Sequence, residues 1–255
     1  MCGSYRIRGT SIEMPRQSIS RSIGHFAGDR RVLFALALIG LAVAARAWLA
    51  AHPQHDPWAP LDLRDPVGWT TSVKLQALKN DPVQCRTVLT QSDVNFTALP
   101  PVGTAPCLRA DRTRLENYPL EPNSPDVTCP VAAALELWRR TTLEPSARKI
   151  LGKELEAVEH LGAYSCRRLY GRSEGAYSEH AGGNAIDISG FRFEDGTIIR
   201  IAEDWDADGE AAQFLRAARE GACATFATVL SPDYNAAHAD HFHLDQSGRW
   251  RGVCR

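Results

Sequence analysis

No C-x-x-C pair occurs among the seven cysteines, which argues against the common cysteine-cluster metal sites. There is no internal repeat and no low-complexity tract, so a solenoid or fibrous architecture is excluded. The chain also lacks a charge excess. Its formal net charge is −1, which gives no basic surface for nucleic acid, and no nucleic-acid partner is expected. Only one apolar run is long enough to cross a bilayer. What remains is 255 residues with 44% hydrophobic and 23% charged content, the composition of an ordinary globular protein.

The near-neutral total hides an asymmetry. Residues 1–31 hold six arginines against Glu13 and Asp29, a net of +4. Beyond Arg46 the chain carries 22 basic and 28 acidic residues. The uncharged run at residues 32–45 follows the basic start, meets Arg46, and resumes to Ala51. That layout belongs to a membrane-targeting segment. Counted through to residue 51 the run has 20 residues, enough for a hydrocarbon core of ~30 Å. Arg46 can snorkel and Trp48 suits an interface. An uncleaved anchor is the favoured reading. Cleavage at Ala45-Arg46-Ala47 is the alternative, and Arg30-Arg31 carries a weak twin-arginine signal. The positive-inside rule leaves residues 1–31 in the cytoplasm and everything after about residue 52 outside. Met14 is an alternative start. The expected location is a bacterial inner membrane, crossed once, with the following domain in the periplasm, or secretion to the periplasm after cleavage.

The cysteines agree with export. Cys2 lies before the apolar run, and Cys85, Cys107, Cys129, Cys166, Cys223 and Cys254 lie after it. An even set on the exported side predicts three disulfides. Pairing by neighbours gives Cys85–Cys107, Cys129–Cys166 and Cys223–Cys254.

Residues 52–62, rich in proline and polar side chains, read as a linker. An exported domain follows over residues 63–255. Its leading part, 63–128, is loop-rich with a short helical candidate near 70–80. A helix is predicted from Cys129 to Arg140, with Pro130 in its first turn, and a second amphipathic segment over 146–152. Strands are predicted over 155–165 and 184–192. Glu194-Asp195-Gly196 signals a hairpin to 197–202. A helix over 210–220 ends at Gly221, and strands over 226–230 and 241–245 close the chain. Short strands with grouped helices predict an α+β domain with a small antiparallel sheet and helices packed on one side.

Two segments concentrate chemistry. The first is Ser178-Glu-His180-Ala-Gly-Gly183-Asn-Ala185-Ile-Asp187, and the second is His238-Ala-Asp240-His241-Phe-His243-Leu-Asp245. Period-2 geometry places Ile186 and Ile188 on one face and Ala185, Asp187 and Ser189 on the other. Likewise Phe242 and Leu244 oppose His241, His243 and Asp245. Each strand thus offers apolar residues to a core and ligand-type residues to the opposite face. His180 precedes its strand in a Gly-rich loop. Four of the eight histidines fall in these two segments. Two imidazoles and a carboxylate make a three-ligand zinc site with its fourth position open.

Ser178, His180, Gly183, Ala185 and Asp187 fit the S-x-H-x-x-G-x-A-x-D pattern of the M15 D,D-carboxypeptidases and endopeptidases. Asp240-x-x-His243 resembles their second motif. The text from Cys129-Pro-Val-Ala-Ala-Ala through Tyr164-Ser-Cys166-Arg167 to the end more specifically resembles the bacterial extensin-like C-terminal domain family, over roughly residues 80–255. The resemblance implies an M15/hedgehog-like peptidase fold, zinc as cofactor, and His180, Asp187 and His243 as ligands. It implies Asp240 as general base. Alternation would put Asp240 on the core face, so it must sit in the bend before its strand. His238 is the alternative base, because the H-x-x-H-x-H spacing resembles a murein endopeptidase subgroup. His241 shares the site face and is a candidate to bond oxyanion or substrate. The same resemblance implies that Arg167 corresponds to a substrate-binding arginine of the M15 enzymes, with Arg168 competing. Ser178 orders the loop around His180.

Three classes of function are open at this point. One is a zinc peptidase acting on peptidoglycan peptides. The second is a non-catalytic wall-binding scaffold that retains the fold. The third is a zinc amidase or esterase with another envelope substrate. Possession of both Asp240 and His238 favours the first.

Overall fold

A computed structural model describes residues 27–249 and 252–255. Residues 1–26, with Cys2, most of the basic start and Met14, lie outside the described residues. The chain divides into two compact units, Met1–Ala50 and Ala51–Arg255.

Helix α1, Ala27–Ala51, has 25 residues, a length of about 37 Å. Its large apolar side chains from Val32 to Val43 are exposed. It is long and apolar enough to cross a membrane, and so is consistent with an anchor or a signal sequence.

The segment read as a linker is ordered. Pro53–His55 forms a 3₁₀ turn that is hydrogen-bonded to residues 69–74. Helices α2 (Thr71–Ala77) and α3 (Pro82–Gln91) follow, the latter capped by Asp81, whose side chain accepts the Gln84 N–H. Strands β1 (Phe96–Leu99) and β2 (Arg112–Leu115) form an antiparallel pair. The leading region is therefore richer in regular structure than its many prolines suggest.

The remaining strands form one mixed seven-stranded sheet. They are β3 (Leu120–Glu121), β4 (Leu155–Gly162), β5 (Ala185–Phe193), β6 (Ile198–Arg200), β7 (Thr228–Leu230), β8 (Phe242–Asp245) and β9 (Val253–Cys254). The order is β3-β4-β5-β8-β7-β9, with β6 also on β5. Pairs β3/β4 and β7/β9 are parallel. The α+β class holds, but the small antiparallel sheet does not. The two-residue strands β3 and β9 have no alternation to read, and it is they that add the parallel edges. β6 also ends early, because the chain turns at Ile201 into helix α6 (Ile201–Asp204).

Helix α4, Cys129–Trp138, is buried on every side. A π-helical stretch, Arg139–Leu143, continues it, followed by α5 (Glu144–Ser146) and a second π turn, Ala147–Leu151. Helix α7 runs Glu210–Thr225, straight through the Gly221 expected to stop it. A Cβ at Gly221 would lie 2.1 Å from Thr142 Oγ1. This glycine permits close packing rather than termination. Trp138 meets Phe191 and Phe226 edge-on and donates its indole N–H to the Ala218 carbonyl at 2.8 Å. Phe214 packs edge-on against Phe191 and Phe193. Helices α4 and α7 thus cover the apolar face of the sheet, and the opposite face is left for Asp187 and His243.

All six cysteines after the apolar helix pair, but by space rather than by neighbour. The bonds are Cys85–Cys129, Cys107–Cys166 and Cys223–Cys254. Only the last matches the expectation. α3 lies against α4, so Cys85 meets the residue that opens α4. Cys107 is then left to the loop after β4. Loops of 44, 59 and 31 residues each stabilise by roughly 4 kcal/mol in the chain-entropy model.

Candidate metal centre

β5 is the central strand of the site. Its register sets Asp187 opposite His243 and Ile186 opposite Leu244 on β8. Ile186, Ile188, Phe242 and Leu244 are fully buried, so the core fixes which way the intervening side chains face. His180 enters from a 3₁₀ turn, Glu179–Gly182. Ser178 Oγ accepts the His180 backbone N–H, and Gly183 closes the turn at φ 71°, a left-handed conformation that suits glycine.

The three side chains converge. His180 Nε2 lies 3.1 Å from Asp187 Oδ1 and 3.1 Å from His243 Nδ1, and His243 Nδ1 lies 2.9 Å from Asp187 Oδ1. A tetrahedral shell with bonds of ~2.1 Å separates its donors by about 3.4 Å. The triangle is therefore close to the size a zinc ion requires. The outward nitrogens are also occupied. His180 Nδ1 donates to the Ala163 carbonyl at 3.2 Å, and His243 Nε2 donates to Asp245 Oδ2 at 3.0 Å. Those bonds fix both tautomers and aim the remaining nitrogens at a common point. The donor set and its support fit a divalent metal.

Charge is concentrated there. Burial lowers the pKa of His243, but its hydrogen bonds to Asp187 and Asp245 outweigh burial and raise it to about 9. Burial raises Asp187, yet His180 and His243 hold it well below the usual carboxylate range. His238 is pushed down to about 4 by burial, assisted by His241 and His243. Its Nδ1 donates to Asn235 Oδ1 at 2.8 Å, which leaves Nε2 with a lone pair at neutral pH.

The cluster sits on the wall of a cavity of ≈ 390 Å³. Arg167, His238, His241 and two tyrosines, Tyr170 and Tyr234, also line it. Asp240 does not. It lies in the turn before β8 rather than in the strand, its side chain is 64% exposed, and it accepts His241 Nδ1 at 2.7 Å. His241 Nε2 then lies 3.7 Å from Asp187 Oδ1. Arg167 is in the loop after β4, not at a strand end. Arg168 is turned away, stacked 4.5 Å over Tyr177 and bonded to the Gly175 carbonyl. The two neighbouring arginines are thus separated, and Arg167 alone reaches the cavity.

Some participants carry no sequence signal. Alternation places Asp245 on the same face as His243 but says nothing of the bond between them. Asn235 caps the turn Ala236–His238 while orienting His238. Glu179 ties the His180 turn to the segment after β8. Its carboxylate accepts from Asn184 at 2.7 Å and from Ser247 at 2.9 Å. Burial raises its pKa, and its donors more than reverse that.

The molecule is thus an α+β domain braced by three disulfides, with a His–Asp–His cluster beside a cavity. The chain belongs to the extensin-like protein C-terminus family, whose model matches residues 83–255. No curated protein and no solved structure matches it.

Proposed function

We propose that this protein is a zinc-dependent hydrolase of peptide bonds in peptidoglycan stem peptides or cross-links, of the D,D-carboxypeptidase or endopeptidase type, held in the cell envelope by its N-terminal helix. The observation that carries this reading is the convergence of His180 Nε2, Asp187 Oδ1 and His243 Nδ1 within 3.1 Å of one another at a cavity wall. The likeness of the two motifs to the M15 peptidases supplies the substrate class.

His180, Asp187 and His243 hold the metal. When bound, zinc supplies Lewis acidity and lowers the pKa of water towards ~7. Proton transfer falls to the imidazoles facing the cavity. His241 Nε2 takes a proton from the attacking water and returns it to the leaving amine, with Asp240 holding its Nδ1–H. Asp240 therefore acts through His241. His238 stands beside this pair as a second neutral acceptor. Arg167 offers a permanently charged guanidinium for a substrate carboxylate or the developing oxyanion.

Incubating residues 51–255 with purified muropeptides, followed by mass spectrometry, tests the assignment. Loss of a terminal D-alanine or scission of a cross-link, abolished by His243→Ala, is expected. Binding of muropeptides without any turnover would instead make the domain a wall-binding scaffold.

A further inference from the structure

The first residues after α1 form a surface with an unusual character. Pro53–His55 is clipped onto the start of α2 by its three carbonyls. Lys74 Nζ donates to the Pro53 carbonyl at 2.8 Å, Thr70 Oγ1 to that of Gln54 at 2.9 Å, and Trp69 Nε1 to that of His55 at 2.7 Å. Gly68 approaches so closely that a Cβ there would lie 2.2 Å from the Gln54 oxygen. Only His52 separates this clip from the end of α1 at Ala51. Two peptide links reach no further than ~7 Å. In the chain, therefore, the clipped residues 53–55 begin two residues after the apolar run ends.

Large apolar side chains are exposed on the same short stretch. Trp58 is 82% exposed, Trp69 69% and Val73 65%. Tryptophan favours the water–hydrocarbon boundary because a large apolar ring carries a single polar N–H, which in Trp69 the His55 carbonyl already satisfies. The apolar run ending at Ala51 would bring the chain out of a bilayer at that level. The neighbouring charged groups carry both signs and are engaged with one another, as with Arg64 on Asp62 and Asp93. They supply no basic field for an acidic partner.

We propose that Trp58, Trp69 and Val73 form an interfacial docking surface that seats the domain on the headgroup region of a zwitterionic membrane. The clip converts the segment after the helix from a flexible tether into part of this surface. The inference is independent of the metal centre.

The unit Ala51–Arg255 has its own core, so it can be tested without the helix. The experiment is flotation with phosphatidylcholine–phosphatidylethanolamine vesicles, comparing wild type with Trp58→Ser, Val73→Ser and, as a control, the exposed Ile198→Ser on β6. Wild type is expected to float with the vesicles. Trp58→Ser should weaken partitioning about tenfold or more, as loss of one large apolar side chain from an interface implies. Val73→Ser should weaken it less, and Ile198→Ser should leave it unchanged. Two results would overturn the proposal. One is a wild-type domain that stays monomeric in solution and away from vesicles. The other is a concentration-dependent dimer abolished by Trp58→Ser, which would make the surface a contact between copies.

Discussion

Asp245→Asn isolates the support of the proposed metal centre without touching one of its three proposed ligands. The Asp245 side chain is only 5% exposed, and both its oxygens are used. Oδ1 accepts the Ser247 backbone N–H at 2.8 Å, and Oδ2 accepts His243 Nε2 at 3.0 Å. An amide can accept from only one of these donors and turns its own N–H groups on the other. Losing a charge-assisted bond of this kind costs about 1.5–3 kcal/mol, which corresponds to roughly 10–150-fold in an equilibrium constant. Outer partners of metal-bound histidines typically carry about 10–100-fold in affinity, so the two estimates agree. If the amide serves Ser247, the loss appears in zinc affinity. If it serves His243, the loss appears in folding stability. Competition titration against a chromophoric chelator reads the first, and thermal unfolding of the metal-free domain reads the second. An Asp245→Asn protein with both quantities unchanged would refute the idea that Asp245 orients a metal-binding His243.

Asp240→Ala and His241→Ala should each retain zinc yet lower kcat by ~10²–10⁴-fold, and the double variant should be little worse, because the two act as a unit; a collapse in His238→Ala alone would move the base to His238. In the metal-free domain His243 is protonated at neutral pH, its pKa being about 9. Zinc binding at pH 7.5 should therefore release about one proton, measured by calorimetry in buffers of different ionisation enthalpy and absent above pH 10. The same group links pH to stability without metal. Its raised pKa stabilises fully below 6.5, the ordinary histidine value, and that contribution is lost as pH rises through about 9. The depressed Asp187 contributes above its ordinary value of 3.8 and is lost in acid, so unfolding midpoints should peak between these limits.

Much of the site was legible because alternation is a local property. Ile186 and Ile188, like Phe242 and Leu244, are large apolar residues two apart. Burying them leaves Asp187 and His243 no choice of face. The pairing of β5 with β8, which sets Asp187 opposite His243, is non-local, and the motif likeness stood in for it. Orientation in loops was not legible. Arg167 and Arg168 are equivalent as sequence, and only the Arg168–Tyr177 stack distinguishes them. Asp240 carries the right chemistry for a base, but the turn before β8 sends its carboxylate outward to His241. Disulfide pairing is non-local in the same way. Cys85 and Cys107 are neighbours in the chain, whereas the packing of α3 on α4 brings Cys85 to Cys129. Gly221 reads locally as a helix stop, and only the approach of Thr142 supplies the other reason for a missing side chain.

Metal analysis of the purified Ala51–Arg255 unit tests the central claim most directly. Elemental quantification should find about one equivalent of zinc, lost in His180→Ala and in His243→Ala while both variants remain folded by circular dichroism. A folded wild-type domain that takes up no divalent metal, even after zinc is supplied, would contradict the account.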